Sequence, residues 1–254
     1  MQPDTILALV STYVLRVSQT NGSYSLYPLN LPTLRITALV DLVQLDHETI
    51  VVASGICLYR LKYENNAYAL NDTIGACSGS LGNVLGVFRV AFLNIASMEL
   101  LDESQVLVAD GNSIQKIDFS THQSEAYIKV KGVTDMSMEG GLLYTYRSKR
   151  RDKMGLEVFS SETSVYSFVC SGDCRTDGPV KKFAMVTPNV MMRTDSSTLS
   201  LWHMQHGTGS QCNFPNPYQP TDLTTIDDKI FLGGIEPSGS TLTHFISVIT
   251  LGGE

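Results

Sequence analysis

The segments LDHETIVVASG (45–55) and LDESQVLVADG (101–111) carry one pattern written twice. Each opens on Leu-Asp, passes through a polar, acidic turn, enters a run of valine with isoleucine or leucine, and closes on Ala, a polar residue and Gly. Aliphatic and β-branched residues in a short unbroken run suit a strand covered on both faces. The closing glycine suits a tight turn into another strand. Helical apolar periodicity is sustained almost nowhere in the chain, so the expected class is all-β.

Working outward, the first copy sits among TALVDLVQLD (37–46), ETIVVASG (48–55), ICLYRLKY (56–63) and AYALNDTI (67–74). These are four short β-rich runs divided by polar or glycine-containing turns, which predicts an antiparallel meander. The second copy is framed in the same way by AFLNIASMELLD (91–102), SIQKIDFS (113–120) and SEAYIKVK (124–131). Comparable runs follow from GVTDMSMEGGLLYTYRS (132–148), VKKFAMV (180–186) and TDLTTIDDKIFLGG (221–234), while TILALVS, YVLRVSQ and YSLYPLN precede Pro32. The units expected are 1–32, 36–75, 84–131, 132–171, 178–214 and 219–254, all within one domain, the last without a clear fourth strand.

A repeat of roughly 40–50 residues is that of a β-propeller blade. A meander apolar on both faces is stable when stacked between neighbours, and closing the stack into a ring leaves no bare end. On the LDHETIVVASG and LDESQVLVADG pair, the chain resembles the WD40-type and NHL-type β-propellers over essentially all of its length. The resemblance implies a six-bladed propeller of four-stranded meanders with an incomplete or shared terminal blade, strands of residues 5–27 completing a blade beside the C-terminal segment. The chain departs from the WD40 pattern where Trp202 is followed by His203, and it lacks regular Gly-His pairs. In such a ring the first strands lie nearest the channel, where their polar residues can face solvent or a partner. A β-sandwich or two smaller all-β domains would explain the alternation, but not the return of the same turn, strand and glycine.

The composition, 43% apolar and 17% charged, is that of a folded protein. A formal charge of −7 argues against general nucleic-acid binding, which depends on neutralising phosphates. No apolar run reaches membrane-spanning length, and membrane insertion is not expected. ILALV (6–10) is brief and has no basic flank before it, a poor match to a signal peptide. The expected location is intracellular and cytoplasmic, with secretion as the alternative if a leader has been removed. Of five cysteines, Cys57 reads as a small buried thiol, and Cys170 and Cys174 as a local disulfide, a metal-ligand pair or an uninvolved pair. The sequons Asn21-Gly22-Ser23 and Asn71-Asp72-Thr73 would matter only in a secretory compartment.

YRSKRRDKMG (146–155) concentrates Arg147, Lys149, Arg150, Arg151 and Lys153 in an acidic chain. Such charge resists burial and predicts a hairpin tip between the second and third strands of the third full unit. It is the leading candidate for binding an acidic protein segment. The stretch 207–222, with three prolines and two aromatics, reads as a rigid projection whose Phe214 and Tyr218 contact a partner, the alternative being that they pack over a blade end.

No catalytic constellation or metal site is expected. Asp110-Gly111-Asn112 reads as turn chemistry rather than as a cation loop. His203 and His206 are three apart in a strand-like context, on opposite faces. GACSGSLGNVLG (75–86) has no Walker lysine, and no nucleophile elbow occurs. No cofactor is implied. The expectation is a non-enzymatic interaction scaffold or a subunit of a complex. The alternative is a propeller enzyme acting on a small metabolite or glycan through polar groups near the channel.

Overall fold

In the computed structural model the chain is strand upon strand, with no helix among the described residues. Those residues are 5–10, 12–18, 20–31, 39–75, 92–147, 155–160, 167–168, 182–195, 198–204, 208–214, 218–226, 229–238 and 241–250. The chain forms two compact units, Met1–Val133 and Thr134–Glu254.

The first unit contains three successive meanders. β1 (Thr5–Val10), β2 (Tyr13–Ser18) and β3 (Tyr24–Asn30) form the first. β4 (Asp41–Gln44), β5 (Thr49–Ser54), β6 (Cys57–Glu64) and β7 (Ala67–Gly75) form the second. Leu29 and Asn30 of β3 pair in parallel with Tyr68 and Ala69 of β7, joining the two meanders into one seven-stranded sheet. β8 (Ile95–Leu100), β9 (Gln105–Asp110), β10 (Ser113–Asp118) and β11 (Gln123–Ile128) form the third.

The second unit repeats the scheme. β12 (Val133–Glu139), β13 (Leu142–Arg147), β14 (Gly155–Ser160) and β15 (Ser167–Phe168) make one four-stranded sheet. β16 (Lys182–Thr187), β17 (Val190–Thr194), β18 (Thr198–His203) and β19 (Thr208–Asn213) make another. β20 (Gln219–Ile226), β21 (Lys229–Ser238) and β22 (Thr241–Thr250) close the chain with three strands.

The packing explains why the deciding segments lack polar alternation. Ile50 and Val52 of β5 face a cluster with Val14, Leu29, Leu61 and Tyr68. Val51 and Ala53, on the opposite face, join Ile95, Met98, Val106 and Val108. Every residue of β5 is buried because a meander covers each face. In the second unit, Tyr144, Tyr146, Phe183, Met185 and Met191 fill one interface between meanders, and Ala184, Met192, Leu223, Ile230 and Leu232 the next.

Several polar residues of the first strands are engaged within these units. Asp41, Ser97, Lys182 and Asp222 occupy matching register positions, opposite Ala53, Ala109, Thr194 and Gly233. Asp41 Oδ2 accepts from Met98 N at 2.7 Å and from Ser97 Oγ at 3.3 Å. Asp135 Oδ2 accepts from Phe183 N at 2.8 Å, while Lys182 Nζ lies 3.4 Å from Asp135 Oδ1 and 3.7 Å from Asp222 Oδ1. A carboxylate on one first strand thus latches the amide of the next. The reason is physical: a first strand wedged between neighbours can keep a carboxylate only by hydrogen-bonding it.

Two expectations change. Cys57 is disulfide-bonded rather than a free thiol, its partner lying outside the described residues. Within 207–222, Thr208–Asn213 is a strand that pairs with β18 along its length rather than part of a projection, and β20 begins at Gln219. Trp202 packs against the Tyr144 and Phe183 cluster with the Arg193 guanidinium 5.3 Å from its ring, and its indole nitrogen has no hydrogen-bond partner among the described residues.

The acidic turns have a definite role. In the β10–β11 turn, Asp118 Oδ1 accepts from Ser120 Oγ, Thr121 N and Ser120 N at 2.7, 3.0 and 2.8 Å. The Ser120 hydroxyl chiefly, with the turn amides, pushes the Asp118 carboxyl down to about 2. A depressed carboxyl stabilises the fold when ionised, so this contribution is present above the ordinary 3.8 and is lost as pH falls toward about 2. An NMR titration of the Asp118 carboxyl carbon should show its midpoint well below the ordinary 3.8, and a midpoint at that ordinary value would refute the role given to the Ser120 hydroxyl.

Candidate interaction surface

One end of the first unit is built by turns that follow second strands. The Gly55-Ile56 turn joins β5 to β6, and the Gly111-Asn112 turn joins β9 to β10. Between them runs 92–94, entering β8. Ile95 N donates to Gly55 O at 2.9 Å, and Gly111 N donates to Asn94 O at 3.2 Å. Asp110, itself buried, accepts from Leu93 N at 2.7 Å and Asn94 N at 2.9 Å through Oδ1. Its carboxylate therefore serves the turn and its neighbouring connection, a role that the acidic residue's position beside Gly111 only half discloses.

This frame displays two large apolar side chains, Leu93 at 64% exposure and Ile56 at 39%. Their backbones are held tightly. Gly75 has φ +99°, and a Cβ on it would stand 2.6 Å from the Ile56 carbonyl oxygen and 2.9 Å from Phe92 Cδ2. Phe92 turns inward to the core while Leu93 turns outward. Exposed apolar groups on a hydrogen-bonded frame lose little conformational freedom on binding.

The basic segment belongs to the corresponding connection of the second unit. Arg147 ends β13, pairs with Gly155 of β14, and is half-buried. Residues 148–154 therefore join a second strand to a third; Lys149, Arg150, Arg151 and Lys153 lie outside the described residues. Phe214 follows β19 and packs against Ala184, Met192 and Leu223. Tyr218 precedes β20 and meets Phe245 of β22 edge-on, with centroids 5.2 Å apart. Both aromatics are thus engaged in the packing of the last two meanders. His203 ends β18 and is exposed, whereas His206, Cys170 and Cys174 lie outside the described residues. Among the described residues no group of three His, Cys, Asp or Glu side chains is placed to hold a metal ion.

Sequence reasoning missed a second organised cluster. The Arg16 guanidinium of β2 lies 4.9, 5.6 and 5.7 Å from the ring centroids of Tyr63, Tyr68 and Tyr27. Its Nε donates to Tyr68 Oη at 3.0 Å and its Nη2 to the His47 carbonyl at 2.9 Å. Burial pushes the Tyr68 phenol up, with the guanidinium pulling it partly back. The cage is filled by the chain's own cation, and it fastens β1–β3 to β4–β7.

No protein-family profile matches the chain, and no curated protein matches it. Among solved structures, a chain from the crystal structure of a nidogen/laminin complex aligns with 91% of this chain and 88% of its own length, at a TM-score of 0.63 and 9% identity. Together with the all-β meanders, that likeness gives the chain a β-propeller fold. At this identity the likeness speaks for fold alone.

Proposed function

We propose that this chain is a non-enzymatic protein-binding propeller of the WD40/NHL-like superfamily, with its six meanders serving as blades of one ring. The observation that carries the reading is the Asp110-organised end of the first unit, where Ile56 and Leu93 are exposed on a fixed frame. Desolvating such apolar groups supplies affinity, and a rigid frame limits the entropic cost of docking. The neighbour of similar fold was crystallised in a protein–protein complex, which is consistent with this use of the fold. The basic segment 147–153 supplies a second contact, attracting an acidic segment of the partner and adding charge-assisted hydrogen bonds.

The test is native purification at physiological salt, with the mass and stoichiometry of the intact complex measured. Wild-type protein should carry a stoichiometric protein partner. Ile56→Asp combined with Leu93→Asp should weaken that complex by at least about tenfold, since a charge replaces each desolvated side chain. Neutralising Arg147, Lys149, Arg150 and Arg151 should weaken it further and flatten its salt dependence. Thermal stability should hardly change in the Ile56→Asp, Leu93→Asp variant, because exposed substitutions rarely exceed about 0.5 kcal/mol. A partner held equally by both variants would refute the proposed surface, and a clean monomer would refute the scaffold reading.

A further inference from the structure

Three observations in the first unit converge on a modification that is independent of partner binding. Asn21 is exposed in the β2–β3 turn, a hairpin held by Ser18 N donating to Ser23 O at 2.8 Å and Gly22 N donating to Ser18 O at 2.9 Å. Its side-chain Oδ1 accepts from Ser23 N at 2.9 Å, so the first and third residues of Asn21-Gly22-Ser23 are already folded toward each other. Gly22, with φ +67°, allows that turn, and Ser23 is exposed as well.

The second sequon stands on a strand, yet in an accessible place. Arg60 pairs with Asp72 and Leu61 with Leu70, so Asn71 is the extra residue of a β-bulge and has no cross-strand partner on β6. On the other side of β7, β3 pairs only with Tyr68 and Ala69. Asn71 is exposed, and Thr73 two residues on is partly so. The third observation is chemical: Cys57, buried in the same unit, is disulfide-bonded. Structural disulfides persist where the environment is oxidising and are rare where thiols are kept reduced. Exposed sequons acquire meaning in that same compartment.

We propose that Asn21 and Asn71 are N-glycosylation acceptors and that the protein matures in an oxidising secretory compartment, in place of the cytoplasmic location expected from sequence. The donor class is an oligosaccharide linked to a lipid through pyrophosphate, delivered by the cell's transferase. At each site the Asn Nδ2 forms a bond to the anomeric carbon of the sugar. The carbon–oxygen bond to pyrophosphate breaks, lipid pyrophosphate leaves with the bonding electrons, and the amide gives one proton to a base. No atom is oxidised or reduced. The glycans would stand clear of the Ile56 and Leu93 end. Arg16 reaches His47 in the β4–β5 turn, so the Asn21 turn lies toward the opposite end of these strands, and Asn71 lies along the outer edge of β7.

Protein isolated from its own cells is digested and mapped by mass spectrometry, with and without peptide N-glycosidase. The peptides holding Asn21 and Asn71 should carry glycans that the enzyme removes, each acceptor then reading as Asp. Thiol labelling of the denatured protein, before and after reduction, should show Cys57 protected until reduced. In the same cells, Ser23→Ala and Thr73→Ala should each remove one glycan while the asparagine remains. Unmodified Asn21 and Asn71 peptides, or Cys57 labelled without reduction, would overturn the proposal. A glycan at one position alone would overturn the two-site assignment. None of these outcomes depends on whether a protein partner binds.

Discussion

Replacing Asp135 by Ala is expected to lower the unfolding free energy by about 3 kcal/mol or more, because it removes a buried carboxylate that a largely buried lysine and a buried amide share. The Asp135 side chain is 5% exposed and that of Lys182 16%, so water cannot readily take its place. Asp222 does not compensate: it is 61% exposed and stands farther from Lys182, at 3.7 Å. Asp135→Asn separates the two parts of the effect. The amide oxygen can still accept from Phe183 N, so a smaller loss, about 1–2 kcal/mol, is expected. Urea titrations read both variants as a shift in midpoint at unchanged slope. A loss within about 0.5 kcal/mol for Asp135→Ala would mean that the latch contributes nothing beyond ordinary surface chemistry.

Arg16→Ala should produce the second large loss, about 2–3 kcal/mol, confined at first to the docking of β1–β3 on β4–β7. One guanidinium is enclosed by three tyrosine rings and donates to both Tyr68 Oη and the His47 carbonyl, so its removal deletes several interactions at once. Lysine is not a substitute, because an ammonium lacks the planar fork that reaches both acceptors while stacking on the rings. Arg16→Lys should therefore recover little of the loss. Hydrogen exchange gives the decisive pattern. Amides of β1–β3 should exchange faster in Arg16→Ala while those of β9 and β10 keep their protection. Uniform acceleration throughout the unit would show that Arg16 acts on the whole unit rather than on this docking.

Much of the fold was legible because strand and turn are local properties. The buried run Ile50–Ala53 and its counterpart Val106–Ala109 announced themselves through composition, and the glycines after them marked the turns. Charge at Arg147 and its neighbours placed a connection between β13 and β14 for the same reason, since no interior position would take it. The candidate surface was less legible. Asp110 looked like an ordinary turn residue, and only the fold brings Leu93 N and Asn94 N to it across seventeen and sixteen positions. Leu93 and Ile56 resemble core residues in any sequence reading, because hydrophobicity does not reveal which side chain finds no neighbour. Phe214 and Tyr218 illustrate the converse, apolar groups in a proline-rich stretch that the fold gathers into packing.

The sequence by itself determined most of the strands and their order, though not the wholly exposed β19, because apolar runs and turn residues act over a few positions. Only the tertiary structure decided which polar residues are structural and which apolar ones are free. Arg16 meets Tyr68 across 52 positions and Asp41 meets Met98 N across 57. Pairings over such distances depend on how one meander stacks on the next, which no local pattern encodes. The same stacking leaves Asn21 and Asn71 in solvent, one at a hairpin tip and the other in a bulge of β7 just beyond its short pairing with β3.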